Sequence, residues 1–472
     1  MSVLQDNNGG LYAPQEPIFP RRVKGPFRRA KWWIMAATLA IYYLTPWIRW
    51  DRGPNLPDQA VLIDMAGKRF YFFMIEIWPH EFYFIAGLLI MAGIGLFLFT
   101  SALGRVWCGY TCPQTVWTDL FILVERWIEG DRNARVRLWK AKWNARKWRL
   151  RITKWIVWLS IAVATGGAWV FYFADAPTLL VDLVTGQAAF VAYASVGVLT
   201  ATTFVFGGFM REQVCIYMCP WPRIQAAMMD EETLTVTYRE HRGEPRGKKH
   251  DATTGDCIDC MACVNVCPMG IDIRDGQQLA CITCALCIDA CDDVMARTGK
   301  PRGLIDYCTY SDQKREEQGG QPRPAWQHVF RFRTMVYTVI WAMIGVFLIV
   351  ALFLRSTIEV TVAPVRQPLF VTLSDGTIRN AYEMRLRNKN GEPRVFHISL
   401  VSDAALRIAL EGTTALTVTV PADQTLTQRV YVSARKASTA ADTSQTDFRF
   451  WVEDLSSTDR AYANTVFHGR VK

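Results

Sequence analysis

Five stretches of the 472-residue chain run almost unbroken through apolar positions: Trp32 to Ile48, Phe82 to Gly104, Trp155 to Ala174, Ala188 to Phe209 and Thr334 to Leu354. A bilayer core about 30 Å thick is crossed by around 20 apolar residues in a helix, so each stretch predicts a transmembrane helix. None carries an interior Lys or Arg, unlike most helices of a soluble core. Gly166 and Gly167 make the third the weakest of the five. After Arg355 the period changes to two, in IEVTVAP, LFVTL, YEMRLRN, FHISLV, LTVTV, QRVYVSA and FRFWVED. Turn signals at Ser374-Asp375-Gly376 and Asn388-Lys389-Asn390-Gly391 separate them, so seven short strands and a β-sandwich are predicted.

Composition agrees with a chain partly in lipid: 51% hydrophobic, 20% charged, and 18 tryptophans, a residue that favours membrane interfaces. The formal charge of +10 does not point to nucleic acid, because the basic residues flank apolar runs rather than gathering on a binding module. Arg21, Arg22, Lys24, Arg28, Arg29 and Lys31 precede the first span, which places the N-terminus on the cytoplasmic side. Alternation then leaves 49–81, 175–187 and 355–472 outside, and 105–154 and 210–333 inside. The segment 175–187 has no Lys or Arg, whereas 105–154 is dense in both. Residues 1–31 are polar and lack the pattern of a cleaved signal peptide. Around Arg132 to Trp158, basic residues alternate with Trp139, Trp143, Trp148 and Trp155, predicting a helix on the inner leaflet with its basic side toward anionic lipid.

All thirteen cysteines lie between Cys108 and Cys308, in segments already assigned to the reducing side. Cys257, Cys260, Cys263 and Cys267, then Cys281, Cys284, Cys287 and Cys291, repeat C-x2-C-x2-C-x3-C. This is the spacing of a two-cluster ferredoxin, in which the fourth cysteine of each run serves the other cluster. Cys257, Cys260, Cys263 and Cys291 are thus expected on one 4Fe-4S cluster, and Cys281, Cys284, Cys287 and Cys267 on the second. Zinc, the alternative for four thiolates, usually sits between two C-x2-C pairs separated by a longer loop. Pro268 follows Cys267, but Asp292 follows Cys291. Two clusters beside no recognisable substrate pocket mean one-electron transfer.

A second cysteine pattern is duplicated. Cys108 and Cys112 in WCGYTCP follow the second apolar run, and Cys215 and Cys219 in VCIYMCPWP follow the fourth, each as C-x3-C-P. If the helix continued through each pair, both thiols would share a face. Arg105 and Arg211 loosely match in the flanks, and Met210 and Met218 add thioethers. Four thiols at one membrane face suit a third iron–sulfur cluster, Cu(I) or a dithiol couple; inert thiols beside a helix-stopping proline are the alternative. His80, His241, His250, His328, His397 and His468 all fall outside the predicted spans, so no membrane haem is expected. His241 and His250 read as solvated loop residues, and lone Cys308 as structural. No Gly-rich nucleotide fingerprint or flavin motif names an electron donor.

Together these features resemble the FixG/RdxA/CcoG family of cytochrome c oxidase accessory proteins over nearly the whole chain. The resemblance rests on WCGYTCPQTVWTD (Trp107 to Asp119), VCIYMCPWPRIQ (Val214 to Gln225), RGEPRG (Arg242 to Gly247) and the two cysteine runs. It implies a multi-domain protein of a bacterial inner membrane, with five transmembrane helices, an inserted two-cluster ferredoxin domain and a C-terminal immunoglobulin-like sandwich. The expected parts are a cytoplasmic tail 1–31, a four-helix membrane domain 32–209 with an amphipathic segment 132–154, and a cytoplasmic segment 210–333 with the ferredoxin domain at about 250–300. The fifth span 334–354 and a periplasmic domain 355–472 follow. The resemblance further implies a role in assembling cbb3-type cytochrome oxidase, by reduction of Cu(II) to Cu(I) for delivery. Cys108, Cys112, Cys215 and Cys219 are then the candidate copper or cluster site. Partners would be membrane lipid, oxidase-assembly or copper-carrier proteins and a cytoplasmic electron donor. A relay subunit for another reductase and a redox-sensing scaffold are the competing functions.

Overall fold

The computed structural model describes residues 17–53, 56–247, 254–355, 358–390, 392–422, 424–457 and 459–470. His250, most of the N-terminal tail and the side chain of His80 lie outside that description. The chain divides into two compact units, residues 1–48 with 59–346, and residues 49–58 with 347–472.

In the first unit, all five apolar stretches contain helix: Pro26–Leu44, Tyr83–Leu103, Ala145–Val170, Phe190–Thr203 continuing π-helically to Met210, and Phe332–Phe353. Among the described residues, only Tyr83–Leu103, Phe190–Met210 and Phe332–Phe353 are long and apolar enough to cross a membrane. Their outward residues are large and apolar, among them Leu89, Phe190 and Met343, as a lipid-facing surface requires. The other two are limited by their charged first turns. Arg28, Arg29 and Lys31 open one; Arg146, Lys147, Arg149, Arg151 and Lys154 open the other, leaving an apolar remainder shorter than about 20 residues.

The basic segment is two helices rather than one, Arg132–Lys140 and Ala145–Val170, broken at residues 141–144. The second is N-capped by Asn144 Oδ1, which accepts from the Lys147 amide at 2.8 Å. Arg135, Lys147, Arg151 and Lys154 are buried rather than turned to lipid. For Arg135, Arg151 and Lys154 the physical reason is a pair of carboxylates one helical turn apart on Pro113–Glu129, whereas Lys147 donates to the carbonyls of Trp139 (3.0 Å) and Ala141 (2.6 Å). Glu125 meets Arg135 (2.8 Å), Lys154 (3.1 Å) and Arg211 (2.6 Å), and Glu129 meets Arg151 (3.2 Å) and Lys154 (3.0 Å). Arg137, Lys140, Lys142, Arg146 and Arg149 remain exposed.

This unit also holds strands absent from the sequence expectation. β1 (Val61–Asp64), β2 (Arg69–Phe72) and β3 (Ile75–Ile77) form an antiparallel sheet, and β4 (Thr235–Tyr238) pairs with β5 (Ile305–Cys308). His241 lies on a short helix, 3.9 Å from Glu316, rather than in an open loop. His328 is buried between Asp312 (2.5 Å) and Glu232 (3.1 Å).

The second unit is a two-sheet sandwich with nine strands among the described residues, two more than expected. They are β6 (Ile358–Pro364), β7 (Val371–Thr372), β8 (Ile378–Asn388), β9 (Arg394–Val401), β10 (Leu406–Leu410), β11 (Thr417–Val420), β12 (Thr425–Ala434), β13 (Gln445–Asp454) and β14 (Arg460–His468). One sheet runs β10-β12-β8-β6, with β7 on β8; the other runs β11-β9-β13-β14. Alternate residues of β8, β12 and β13 point inward, and Tyr382, Phe448 and Phe450 meet edge-on in the core. The strands missed were β10 and β14, with the sequences LRIAL and RAYANTVFH.

Candidate functional site

The two C-x2-C-x2-C runs adopt one backbone shape. The residues on either side of each middle cysteine, Asp259 and Met261 in the first and Thr283 and Ala285 in the second, all have φ between 50° and 59°. Four non-glycine residues in the left-handed region at matching positions mark a required conformation, since each costs strain. Successive amides in such turns form a concave nest that receives an anionic group, as at many iron–sulfur sites. Helices Ala262–Val266 and Leu286–Thr298 start directly after the nests and pack on each other. Each carries the third cysteine and leads to the fourth.

That packing crosses the runs over. Burial and then the nearby Cys263, Cys260 and Cys257 push the Cys291 thiol up to about 12. Burial and then Cys284 do the same for Cys267, again to about 12. Burial of the Cys287 thiol, and then Cys284, Cys281 and Cys267 around it, raise it well above its ordinary value. Cys291 thus lies near the thiols of the first run, and Cys267 near Cys284 and Cys281 of the second. Cys257, Cys263 and Cys291 share one apolar core, which Cys281 and Cys287 border; Cys284 lies in another, bordered by Cys267 and again by Cys287. Cys260 is the one exposed member of the eight. Among the described residues, no three Cys, His, Asp or Glu side chains gather tightly enough to hold a single ion. The donor set and paired nests fit cubane clusters.

The C-x3-C-P repeats also share a backbone, and it is not a continuous helix. The long helices stop at Gly104 (φ 62°) and Arg211 (φ 43°), each four residues before the first cysteine. Short helical turns, Val106–Tyr110 and Val214–Met218, carry Cys108 and Cys215. Cys112 and Cys219 are extended, with a proline next, and a new helix follows each. The break prevents the shared face expected of an unbroken helix, and it pairs Arg211 with Gly104 rather than with Arg105. It also leaves the four thiols near enough to one another for their charges to interact. The Cys108 thiol, raised to about 12 chiefly by burial, senses Cys112 and Cys219; the Cys215 thiol, raised likewise, senses Cys112, Cys108 and Cys219. Cys108 Sγ donates to Gln225 Oε1 at 3.1 Å.

The quartet lies against the second ferredoxin loop. A Cβ on Gly109 would fall 2.6 Å from the Ile282 carbonyl oxygen and 3.0 Å from Cys284 Cα, so only glycine permits this approach. Tyr110 Oη donates to the Cys284 carbonyl (3.2 Å) and Tyr307 Oη to that of Thr283 (2.8 Å). Arg105, 5% exposed, donates to the carbonyls of Leu279, Cys281 (3.3 Å) and Pro222 (2.6 Å), clamping both hairpin ends to that loop. Cys108 and Cys215 border the same core as Cys284. On the other side, Asp289 Oδ2 accepts from the Arg28 amide (2.7 Å), so the ferredoxin helix caps Pro26–Leu44. Sequence reasoning missed these positioning residues. The available signal was Gly109 inside WCGYTCP, where VCIYMCP has Ile216; the next residue is tyrosine in both, Tyr110 and Tyr217.

Three family models match the chain. A "4Fe-4S dicluster domain" covers residues 210–310, a "4Fe-4S binding domain" residues 84–132, and the "IG-like fold at C-terminal of FixG" residues 348–470. Among curated relatives, Protein RdxB of Cereibacter sphaeroides is 68% identical over 100% of both chains. Protein RdxA of the same organism is 64% identical over 97% of this chain and 98% of its own. Nitrogen fixation protein FixG of Rhizobium meliloti is 53% identical over 96% and 92%, respectively.

Proposed function

The chain belongs to the FixG/RdxA/CcoG family and is an iron–sulfur electron-transfer protein, and from that premise we propose that it reduces Cu(II) to Cu(I) at a membrane during assembly of cbb3-type cytochrome oxidase. Cys257, Cys260, Cys263 and Cys291 hold one 4Fe-4S cluster in this reading, and Cys267, Cys281, Cys284 and Cys287 the other. When bound, the clusters supply one-electron steps over a potential range set by hydrogen bonds and exposure. The chain's own residues set the geometry of transfer. Exposed Cys260 leaves one edge open to a cytoplasmic donor, and Gly109, Tyr110 and Arg105 hold the second loop against Cys108, Cys112, Cys215 and Cys219.

The Gly109–Cys284 approach carries the proposal, because it sets a soft-ligand site beside the second ferredoxin loop. Thiolates with half-exposed Met218 suit Cu(I), and each Cu(II) reduced consumes one electron from the donor. The membrane arrangement proposed has five spans, a cytoplasmic N-terminus and a periplasmic sandwich. It is supported by the three long apolar helices and by the confinement of all thirteen cysteines to inner segments.

Anaerobically purified protein with a chemical reductant should reduce Cu(II) over many turnovers, and Cys260→Ser should abolish turnover. Iron per chain decides the quartet's cargo: about eight leaves it to copper, whereas about twelve assigns it a third cluster. Intact clusters without copper reduction would reject the cupric reductase and leave an electron relay.

A further inference from the structure

Arg22, Lys24, Arg28, Arg29 and Arg126 line an open cavity of about 870 Å³ that has no acidic side chain in its wall. That volume lies within the ~300–1,000 Å³ typical of small-ligand sites. The acids nearby are already engaged. Asp119 accepts two hydrogen bonds from one Arg28 Nη, at 3.0 and 2.9 Å, and lies 3.9 Å from Lys31. Asp131 accepts the Arg22 amide at 3.0 Å, and Asp289 the amides of Phe27 and Arg28.

Two cationic groups are left incompletely paired. Arg28 is 4% exposed with its guanidinium over the Trp32 ring, 4.1 Å from the centroid, and its second Nη is buried without a hydrogen-bond partner. Arg126 Nε is likewise buried and unpaired, while its Nη2 donates to the carbonyls of Pro20 and Arg21. Buried guanidinium nitrogens left this way are costly unless an acceptor arrives. Burial and then the neighbouring Arg28 hold the Arg126 guanidinium down at about 10, against the opposing pull of Asp119 and Asp131. On the helix Pro113–Glu129, Trp127, 80% exposed, and Leu123 continue the wall of the cavity as apolar surface.

We propose that this cavity binds the phosphodiester headgroup of an anionic phospholipid from the inner leaflet, with an acyl chain along Leu123 and Trp127. The choice of a lipid over a soluble phosphate rests on the membrane orientation proposed above and on that adjoining apolar wall. Basic pockets beside membrane helices on the cytoplasmic side take such headgroups, and arginine matches phosphate oxygens two at a time.

Native mass spectrometry of the full-length protein in detergent, titrated with phosphatidylglycerol or phosphatidylcholine, tests this directly. Phosphatidylglycerol should bind at least about tenfold tighter, and Arg29→Gln with Arg126→Gln should erase that preference while leaving iron content unchanged. Arg137→Gln, an exposed position away from the cavity, should leave it intact; if the double variant does not fold, Arg29→Gln alone should weaken it severalfold. Equal retention of both lipids, or an unchanged preference in the variants, overturns the proposal. Inorganic phosphate or glycerol phosphate displacing the lipid at equal concentration overturns the lipid assignment in favour of a soluble phosphate. Extraction from membranes by carbonate or only by detergent tests the membrane orientation separately, so the two failures are distinguishable.

Discussion

Replacing Gly109 by alanine puts a methyl group where the hairpin end meets the second ferredoxin loop. The three nearest atoms are all backbone, Ile282 O at 2.6 Å, Cys284 N at 3.1 Å and Cys284 Cα at 3.0 Å, so no side chain can swing aside. Restoring an ordinary 3.4 Å contact requires a separation of roughly 0.8 Å. Overpacking of that kind costs about 1–3 kcal/mol. It also strains the Tyr110–Cys284 and Arg105–Cys281 hydrogen bonds, which bind the same loop. Gly167→Ala is the matched control, because nothing lies within 4 Å of its Cβ; removing a glycine from a helix interior there should stabilise by about 0.5–1 kcal/mol. Denaturant unfolding in detergent followed by tryptophan fluorescence reads stability. Stopped-flow oxidation of the reduced protein reads transfer, with Cu(II) as one oxidant and a small soluble oxidant able to reach exposed Cys260 as the other. Gly109→Ala should slow the copper-dependent phase selectively with iron content unchanged. Wild-type stability together with a wild-type copper phase would refute the close approach.

Three further outcomes are expected. Burial alone would raise the Glu125 carboxyl, but Arg211, Lys154 and Arg135 overcome it and hold it at about 2 against an ordinary 4.5. A depressed folded value means stability is fully present above about 4.5 and is lost as pH falls from there toward 2. On the order of 3 kcal/mol should disappear across that window. Unfolding free energies that stay level from pH 5 to 3 would contradict this, as would Glu125→Gln costing less than the ~3–5 kcal/mol of a broken buried pair. In the sandwich, Phe450 is fully buried against Tyr382 and Phe448, so Phe450→Ala should cost about 3–5 kcal/mol; calorimetry of the full chain showing under 1 kcal/mol would reject the packing. Cys260→Ser should lower iron per chain by metal analysis, whereas Cys308→Ser, which removes only a buried thiol donating to the Thr309 carbonyl at 3.3 Å, should not. Equal losses would make Cys308 part of the metal site.

Features carried by local pattern were readable along the chain. Apolar runs, period-two alternation and cysteine spacing each follow from the geometry of one segment, so the helices, most sandwich strands and the eight candidate ferredoxin ligands followed from sequence. Strands β10 and β14 lie at sheet edges, where few of their residues are fully buried, and their short or small-residue runs carry few large apolar side chains to mark them. The condition for a shared face, a helix running through each C-x3-C pair, is not met, because Cys112 and Cys219 leave the short helical turn for an extended conformation before the proline, a choice that spacing does not encode. The inner-leaflet helix broke in two, and several of its basic residues turned inward, because Glu125 and Glu129 wait on another helix.

By itself the sequence determined which atoms can bind iron or copper and which segments can meet lipid, since both depend on residue identity and short-range period. Only the tertiary structure decided that Cys108, Cys112, Cys215 and Cys219, separated by about a hundred residues, form one group, and that Gly109 sets it on Cys284. It likewise decided that five cations from two helices and the preceding chain surround one cavity. Contacts between remote segments depend on how helices end and pack, and the charge or apolarity of a single stretch does not reveal which partner it will face.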